Sequence, residues 1–227
     1  MNKITITYLI ITLLFVMSDL IKISSWNMRS LGPARPYLHL LGQQCDILIG
    51  SEHRLYNCEL FKLNAVLPDF YFHAKSSSDL EEELSTSVTG HCGLFIAWKN
   101  RLANNVRVVD CDSDRICAIE ISNMSLKSKD KLYVIGVYLP YHNCNIASFR
   151  EHMNRLEVLI QHCTSDGEVI IMGDMNCHFG SEIGSRFSGK TNTNGVKMLD
   201  MCTRLNLDVV DGGEICRGPC YTFYVEG

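Results

Sequence analysis

Four polar side chains stand at the ends of three short apolar runs that lie far apart in the chain. The run Glu168 to Met172 is short and mostly apolar, as a strand covered on both faces would be, and it opens into Gly173-Asp174-Met175-Asn176. Leu20 to Ser25 leads in the same way into Trp26-Asn27, and Asp46 to Ser51 leads into Glu52. The carboxyl edge of a sheet is where α/β folds place their chemistry. Asn27, Glu52, Asp174 and Asn176 make an all-oxygen set, which suits a hard divalent cation and a phosphate ester. On this reading Glu52 is the principal metal ligand and Asn27 a neutral oxygen donor beside it. Asp174 orients and deprotonates an attacking water, and Asn176 holds the phosphate or tunes Asp174. Mg²⁺ is the expected cation, with Mn²⁺ the alternative. Taken singly, an Asp-x-Asn after glycine is a plain turn, and an asparagine ending a strand is a turn residue. Their common position past apolar strands makes the set informative.

The elements that must position these residues alternate along the chain without repeats. Pro36 to Gln44 reads as a first helix with Tyr37, Leu40 and Leu41 on one side and Gly42 near its end. Gly93 to Trp98, Val106 to Val109, Arg115 to Ile121 and Leu132 to Tyr138 are consecutive strands joined by polar turns, which predicts antiparallel hairpins. Ser148-Phe149-Arg150-Glu151 matches a capping box. From it Phe149, Met153, Leu156, Ile160 and Cys163 follow at spacings of three and four, the core stripe of a helix. A further helix spans about Gly195 to Leu205 with Val196, Leu199, Cys202 and Leu205 inward, and Leu207 to Val210 is a strand. Ser76 to Thr89, the most polar stretch, is a solvated loop.

A chain of 227 residues is long enough for one α/β domain with a sizeable core. Its 46% hydrophobic and 20% charged residues are ordinary for a soluble globular protein. The net charge of −4 argues against a protein that holds nucleic acid by charge alone. It leaves room for a metal-assisted site, where the cation meets the phosphate locally. The 11 cysteines form no C-x-x-C pair, so they fit neither zinc spacing nor a secreted disulfide scaffold and read as reduced, buried side chains. Cys216 and Cys220 are close enough to cross-link in an oxidising compartment. Residues 1–19 form an apolar leader. Its 15 uncharged residues, Ile4 to Ser18, are short for a membrane span of ~20. They fit a secretory leader, although Phe15-Val16-Met17-Ser18 is a poor cleavage site.

Six segments, in order, carry a resemblance to the endonuclease/exonuclease/phosphatase superfamily, and within it to the endonuclease domain of LINE-type (non-LTR) retrotransposons. They are Ser25-Trp26-Asn27-Met28-Arg29-Ser30-Leu31, Asp46 to Glu52, Gly136-Val137-Tyr138-Leu139-Pro140, Gly173 to His178, Asn194-Gly195 opening a helix, and Tyr221-Thr222-Phe223. The resemblance covers residues 20–227. It implies a four-layer α/β (α+β) sandwich of DNase-I-like type, two packed mixed sheets flanked by helices. It implies metal-dependent hydrolysis of a DNA phosphodiester by a monomer, with no small-molecule cofactor and no membrane association. It assigns the metal to Glu52 and Asn27. Catalysis goes to Asp174, Asn176 and Tyr138, and contacts with the substrate phosphate to Tyr138, Asn176 and Thr222.

The chain departs from the family in three places. Tyr141 follows Pro140 where the family has asparagine, and Gly90-His91-Cys92-Gly93 stands where a Gly-Gly pair is usual. The family's last strands and its Ser-Asp-His segment have no counterpart before Gly227. The expectation is therefore a domain incomplete at its C-terminus, weak or inactive as a nuclease because such a loss costs about 10²–10⁴ in rate, with a sheet edge left unpaired. Two other readings stay open. A secreted DNase-I-like nuclease or a phosphoinositide phosphatase would use the leader and the cysteines. A non-catalytic remnant would act only in binding. The retrotransposon reading favours an intracellular protein, with residues 1–19 either a leader or unrelated sequence at the start of a reading frame.

Overall fold

The structure, a computed structural model, describes residues 11–13, 21–76, 92–122, 130–141, 146–183 and 189–210. In chain order these form β1 (Ile11–Leu13), β2 (Ile21–Asn27), α1 (Leu31–Gln44), β3 (Ile47–Ser51), α2 (Lys62–Val66), β4 (Phe70–Lys75), β5 (Leu94–Lys99), β6 (Val106–Val109), β7 (Ile116–Ile121), β8 (Leu132–Tyr138), α3 (Ile146–Thr164), β9 (Glu168–Asp174) and α4 (Thr193–Leu205). Thr222 and the polar stretch from Ser77 onward lie outside the described residues.

Two mixed sheets result, in the orders β1-β2-β3-β5-β4 and β6-β7-β8-β9. Each contains one parallel pair, β2 with β3 and β8 with β9, and its other pairs are antiparallel. Ile11–Leu13, inside the expected leader, pairs with β2.

The period-two alternation of each strand explains the layering. Ile47 and Ile49 of β3 face Cys117, Ile119 and Val134 of the second sheet in a core between the sheets. Leu48, Phe95 and Ala97 point the other way, against Leu38 and Leu41 of α1 and Leu63 of α2. Ala118, Ile135 and Val137 pack under Phe149, Leu156 and Ile160 of α3 and under Met198 and Met201 of α4. The order helix, sheet, sheet, helix is the expected four-layer sandwich.

Several local expectations are corrected. Helix α1 begins at Leu31, not Pro36, and buries Leu31, Ala34, Leu38, Leu41 and Gly42, while Tyr37 and Leu40 are exposed. Pro36, the sixth residue of the helix, removes the bond its amide would have given to the Gly32 carbonyl. Helix α3 starts at Ile146, so Ser148 lies inside it and is not its cap; its stripe from Phe149 to Cys163 is buried. In α4 the buried residues are Asn194, Gly195, Met198 and Met201; Cys202 and Leu205 of the expected stripe pack partly buried against the same core, and Val196 is exposed. Residues 207–210 are not a strand. Asn206, in the left-handed region at φ 53°, ends α4, and the following segment finds no strand to pair with among the described residues. No helix of the described residues is long and apolar enough to cross a membrane.

Candidate active site

The two parallel pairs end at the same edge of the sandwich. Asn27 pairs with Ser51 at the end of β2 and β3, and Tyr138 pairs with Asp174 at the end of β8 and β9. Glu52 follows Ser51 directly. The sandwich thus delivers two strand ends from each sheet to one place, although Asn27 and Asp174 are 147 positions apart.

The side chain of Asn27 joins them. Its amide nitrogen donates to Glu52 Oε1 at 2.7 Å and to Asp174 Oδ2 at 2.8 Å. Tyr138 donates its hydroxyl to Glu52 Oε1 at 3.3 Å. The expected oxygen donor therefore turns its nitrogen inward, and its Oδ1 accepts from the Arg29 amide at 3.2 Å. The orientation follows from charge, because an amide oxygen facing two carboxylates would be repelled while the NH₂ group satisfies both. Glu52 Oε2 takes Arg54 at 3.3 Å on the rim.

Asn176 reaches the site through its backbone. Its N–H donates to Asp174 Oδ1 at 3.1 Å, with Asn176 itself at φ 47°. This is an Asx-turn, so the plain-turn reading of Asp-x-Asn also holds, and that turn aims the carboxylate. The Asn176 amide donates not toward Asp174 but to the Leu139 carbonyl at 2.8 Å, tying the two strand-end loops together. Gly173 is required on steric grounds. At φ 137°, a Cβ there would lie 2.0 Å from the Val137 carbonyl oxygen, so only glycine lets β9 end against β8.

Three residues not predicted from sequence support the site. Arg115 lies 5.1 Å from the centre of the Tyr138 ring and donates to the Tyr138 carbonyl and to Cys92 Sγ. Burial and then the Glu52 charge push the Tyr138 hydroxyl well above the ordinary tyrosine range, keeping it a proton donor. Asn194, buried at the start of α4, donates to the carbonyls of Pro140 and Asn176, both at 3.3 Å. Asn194-Gly195 was legible as a helix opening, but nothing in the spacing marked its amide as a cross-link between loops. His53, beside Glu52, is fully buried, and burial holds its imidazole down to about 4.

The backbone around the site is unusual. Arg29, Glu52, Arg54, Cys92 and Asn176 all have φ between 47° and 60°. Non-glycine residues in this region cost roughly 1–2 kcal/mol each, so their gathering at one edge needs support from their surroundings. The described residues include no group of three or more His, Cys, Asp or Glu side chains able to hold a metal ion. Glu52 and Asp174, within reach of one amide, form a two-carboxylate set. That fits Mg²⁺, which takes one or two carboxylates and completes its shell with water and phosphate oxygens.

No protein-family model matches the chain, and no curated protein sequence does. Solved structures do. The AP endonuclease LMAP from Leishmania major aligns at a TM-score of 0.60 and 13% identity, over 87% of this chain and 72% of that one. The 3′-phosphatase NExo from Neisseria, solved with a product DNA hairpin, aligns at a TM-score of 0.58 and 15% identity, over 82% and 71%. An AP endonuclease from Archaeoglobus fulgidus gives 0.55 and 17%, over 82% and 70%. The fold is DNase-I-like.

Proposed function

We propose that the chain is a metal-dependent phosphodiester hydrolase acting on DNA, an endonuclease domain of the LINE retrotransposon type. The observation that carries this reading is the single Asn27 amide hydrogen-bonded to both Glu52 and Asp174. Two carboxylates gathered by one neutral donor at a sheet edge make a focus of negative charge, which a hard cation would neutralise. The solved structures of like fold include AP endonucleases and a phosphatase bound to DNA, which supports a nucleic-acid substrate. The retrotransposon assignment rests on the segment Trp26 to Leu31 and on the order of the six matching segments.

Glu52 and Asp174 would hold or adjoin Mg²⁺, with Mn²⁺ the substitute. When bound, the cation would neutralise charge on the scissile phosphate and polarise it. The chain's own residues do the rest. Asn27 keeps the two carboxylates together before the cation arrives. Tyr138, protonated, would offer its hydroxyl to a phosphate oxygen. Asp174, aimed by the Asx-turn, takes the proton from the attacking water. Asn176 fixes that turn. A phosphate contact from Thr222 is part of the proposal on the resemblance alone.

The test is Mg²⁺-dependent nicking of supercoiled plasmid by the 227-residue chain. We expect slow nicking that chelation of Mg²⁺ abolishes and that Glu52→Ala reduces further. Nicking indifferent to Mg²⁺ and to Glu52→Ala, or a folded chain that neither nicks DNA nor binds Mg²⁺, would overturn the proposal.

A further inference from the structure

The residue after Glu52 is a histidine with no exposed surface, an expensive place for a polar ring unless both nitrogens are satisfied. Both are. The Leu55 amide, which can only donate, lies 3.0 Å from His53 Nδ1. The Lys75 carbonyl, which can only accept, lies 3.1 Å from Nε2. The two partners define the state of the ring, a neutral imidazole with its hydrogen on Nε2.

The ring also explains the glycine that precedes β5. A Cβ on Gly93 would lie 2.3 to 2.6 Å from Cε1, Nε2 and Nδ1 of His53, so the imidazole occupies the space a side chain would need. Gly93 sits at φ 94°. The backbone on either side of His53 is bonded to this same segment. Glu52 N–H donates to the Gly93 carbonyl at 2.8 Å and Arg54 N–H to the Cys92 carbonyl at 2.9 Å. The His53 carbonyl accepts from the Leu31 amide, at the start of α1, at 3.1 Å. His53 thus joins the end of β4, the entry to β5 and the start of α1. It does so between two residues, Glu52 and Arg54, at φ 58° and 56°. Such a conformation persists where its surroundings over-determine it.

We propose that His53, locked against Gly93 as the Nε2–H imidazole, is the positioning residue that fixes Glu52 at the mouth of the site. It touches no substrate and acts through the backbone of its neighbour. The inference rests on the proposed function insofar as Glu52 is a metal ligand. An apolar side chain of similar size would fill the space but leave the Leu55 amide and the Lys75 carbonyl unpaired, releasing the turn that presents Glu52. Asparagine can place an acceptor where Nδ1 stands and so keep half of the lock.

The experiment uses the full chain, with Mn²⁺ binding followed by electron paramagnetic resonance below the unfolding temperature of every variant. His53→Leu and Gly93→Ala are expected to weaken Mn²⁺ binding by about 10- to 100-fold, the scale for residues that orient a metal ligand. His53→Asn should recover part of that loss. Leu156→Ala, which opens the core under α3 away from the site, should lower the melting temperature and leave Mn²⁺ affinity unchanged. Wild-type affinity in His53→Leu and Gly93→Ala would overturn the proposal. Should those two variants fail to fold, ¹⁵N-histidine spectra of the wild type decide it: a His53 signal from an Nδ1–H or doubly protonated ring at pH 7 sinks the lock. A wild type that binds no Mn²⁺ yet shows the Nε2–H tautomer overturns the proposed function instead and leaves His53 as the backbone lock alone.

Discussion

The two halves of the site are built on parallel strand pairs that look alike but are held in different ways. Every residue of β3 is buried, whereas in β9 only Met172 is. The reason is topological. β3 lies between β2 and β5, with α1 and α2 on one face and the second sheet on the other. Among the described residues, β9 pairs only with β8. Glu52 is accordingly fixed from behind, by core packing and a buried imidazole. Asp174 is fixed from the side, by the amides of Asn27, Asn176 and, one step removed, Asn194. The first half stores its precision in the core and the second in hydrogen bonds near solvent. Damage to the first should therefore appear as lost stability together with lost function, and damage to the second mainly as lost function.

The strongest challenge to this contrast is to remove the carboxylates themselves. Asp174→Ala should lower Mg²⁺-dependent nicking by about 10²–10⁴ while shifting the urea midpoint little. A large loss of stability from Asp174→Ala would place the second half in the core after all. Gly173→Ala is the expected exception. Strain at its φ and the clash with Val137 together should cost about 4 kcal/mol in urea unfolding, and a cost under about 1 kcal/mol would refute the steric reading. Asn27→Ala leaves two carboxylates without their common donor. Mn²⁺ affinity should drop about tenfold, and unchanged affinity would contradict its role as the bridge. Asn176→Ala should cost about 1 kcal/mol, the net worth of the bond to Leu139. Arg54→Ala should be nearly silent, below about 0.5 kcal/mol, because the Arg54–Glu52 pair is half-exposed.

Most strands were legible because alternation and apolar runs reflect burial, but β1 and β4 were not read, residues 207–210 were read as a strand and are not one, and the apolar run of β9 is only partly buried. Ile47, Leu48 and Ile49 announce a strand covered on both sides, and the stripe from Phe149 to Cys163 announces a helix packed on one. Helix faces were less secure where apolar residues outnumber the buried positions. In α4, Val196, Leu199, Cys202 and Leu205 form a plausible stripe, yet Met198 and Met201 fill the core because Asn194 and Gly195 must turn toward the site. The convergence of Asn27, Glu52 and Asp174 could be inferred from their common position at strand ends. The direction of the Asn27 amide could not, since it depends on which charges surround it in three dimensions. His53 left no periodic signal at all. Lying between a charged glutamate and a charged arginine, it reads as surface, and the Leu55 amide, the Lys75 carbonyl and the space left at Gly93 are what allow its burial.

The most direct measurement is anomalous diffraction from a crystal of the 227-residue chain soaked in Mn²⁺. A peak in contact with the Glu52 carboxylate, beside Asp174 and Asn27, is the predicted result. Saturating Mn²⁺ with no peak at that edge, or with the ion held elsewhere, would contradict a hydrolase centred on these residues.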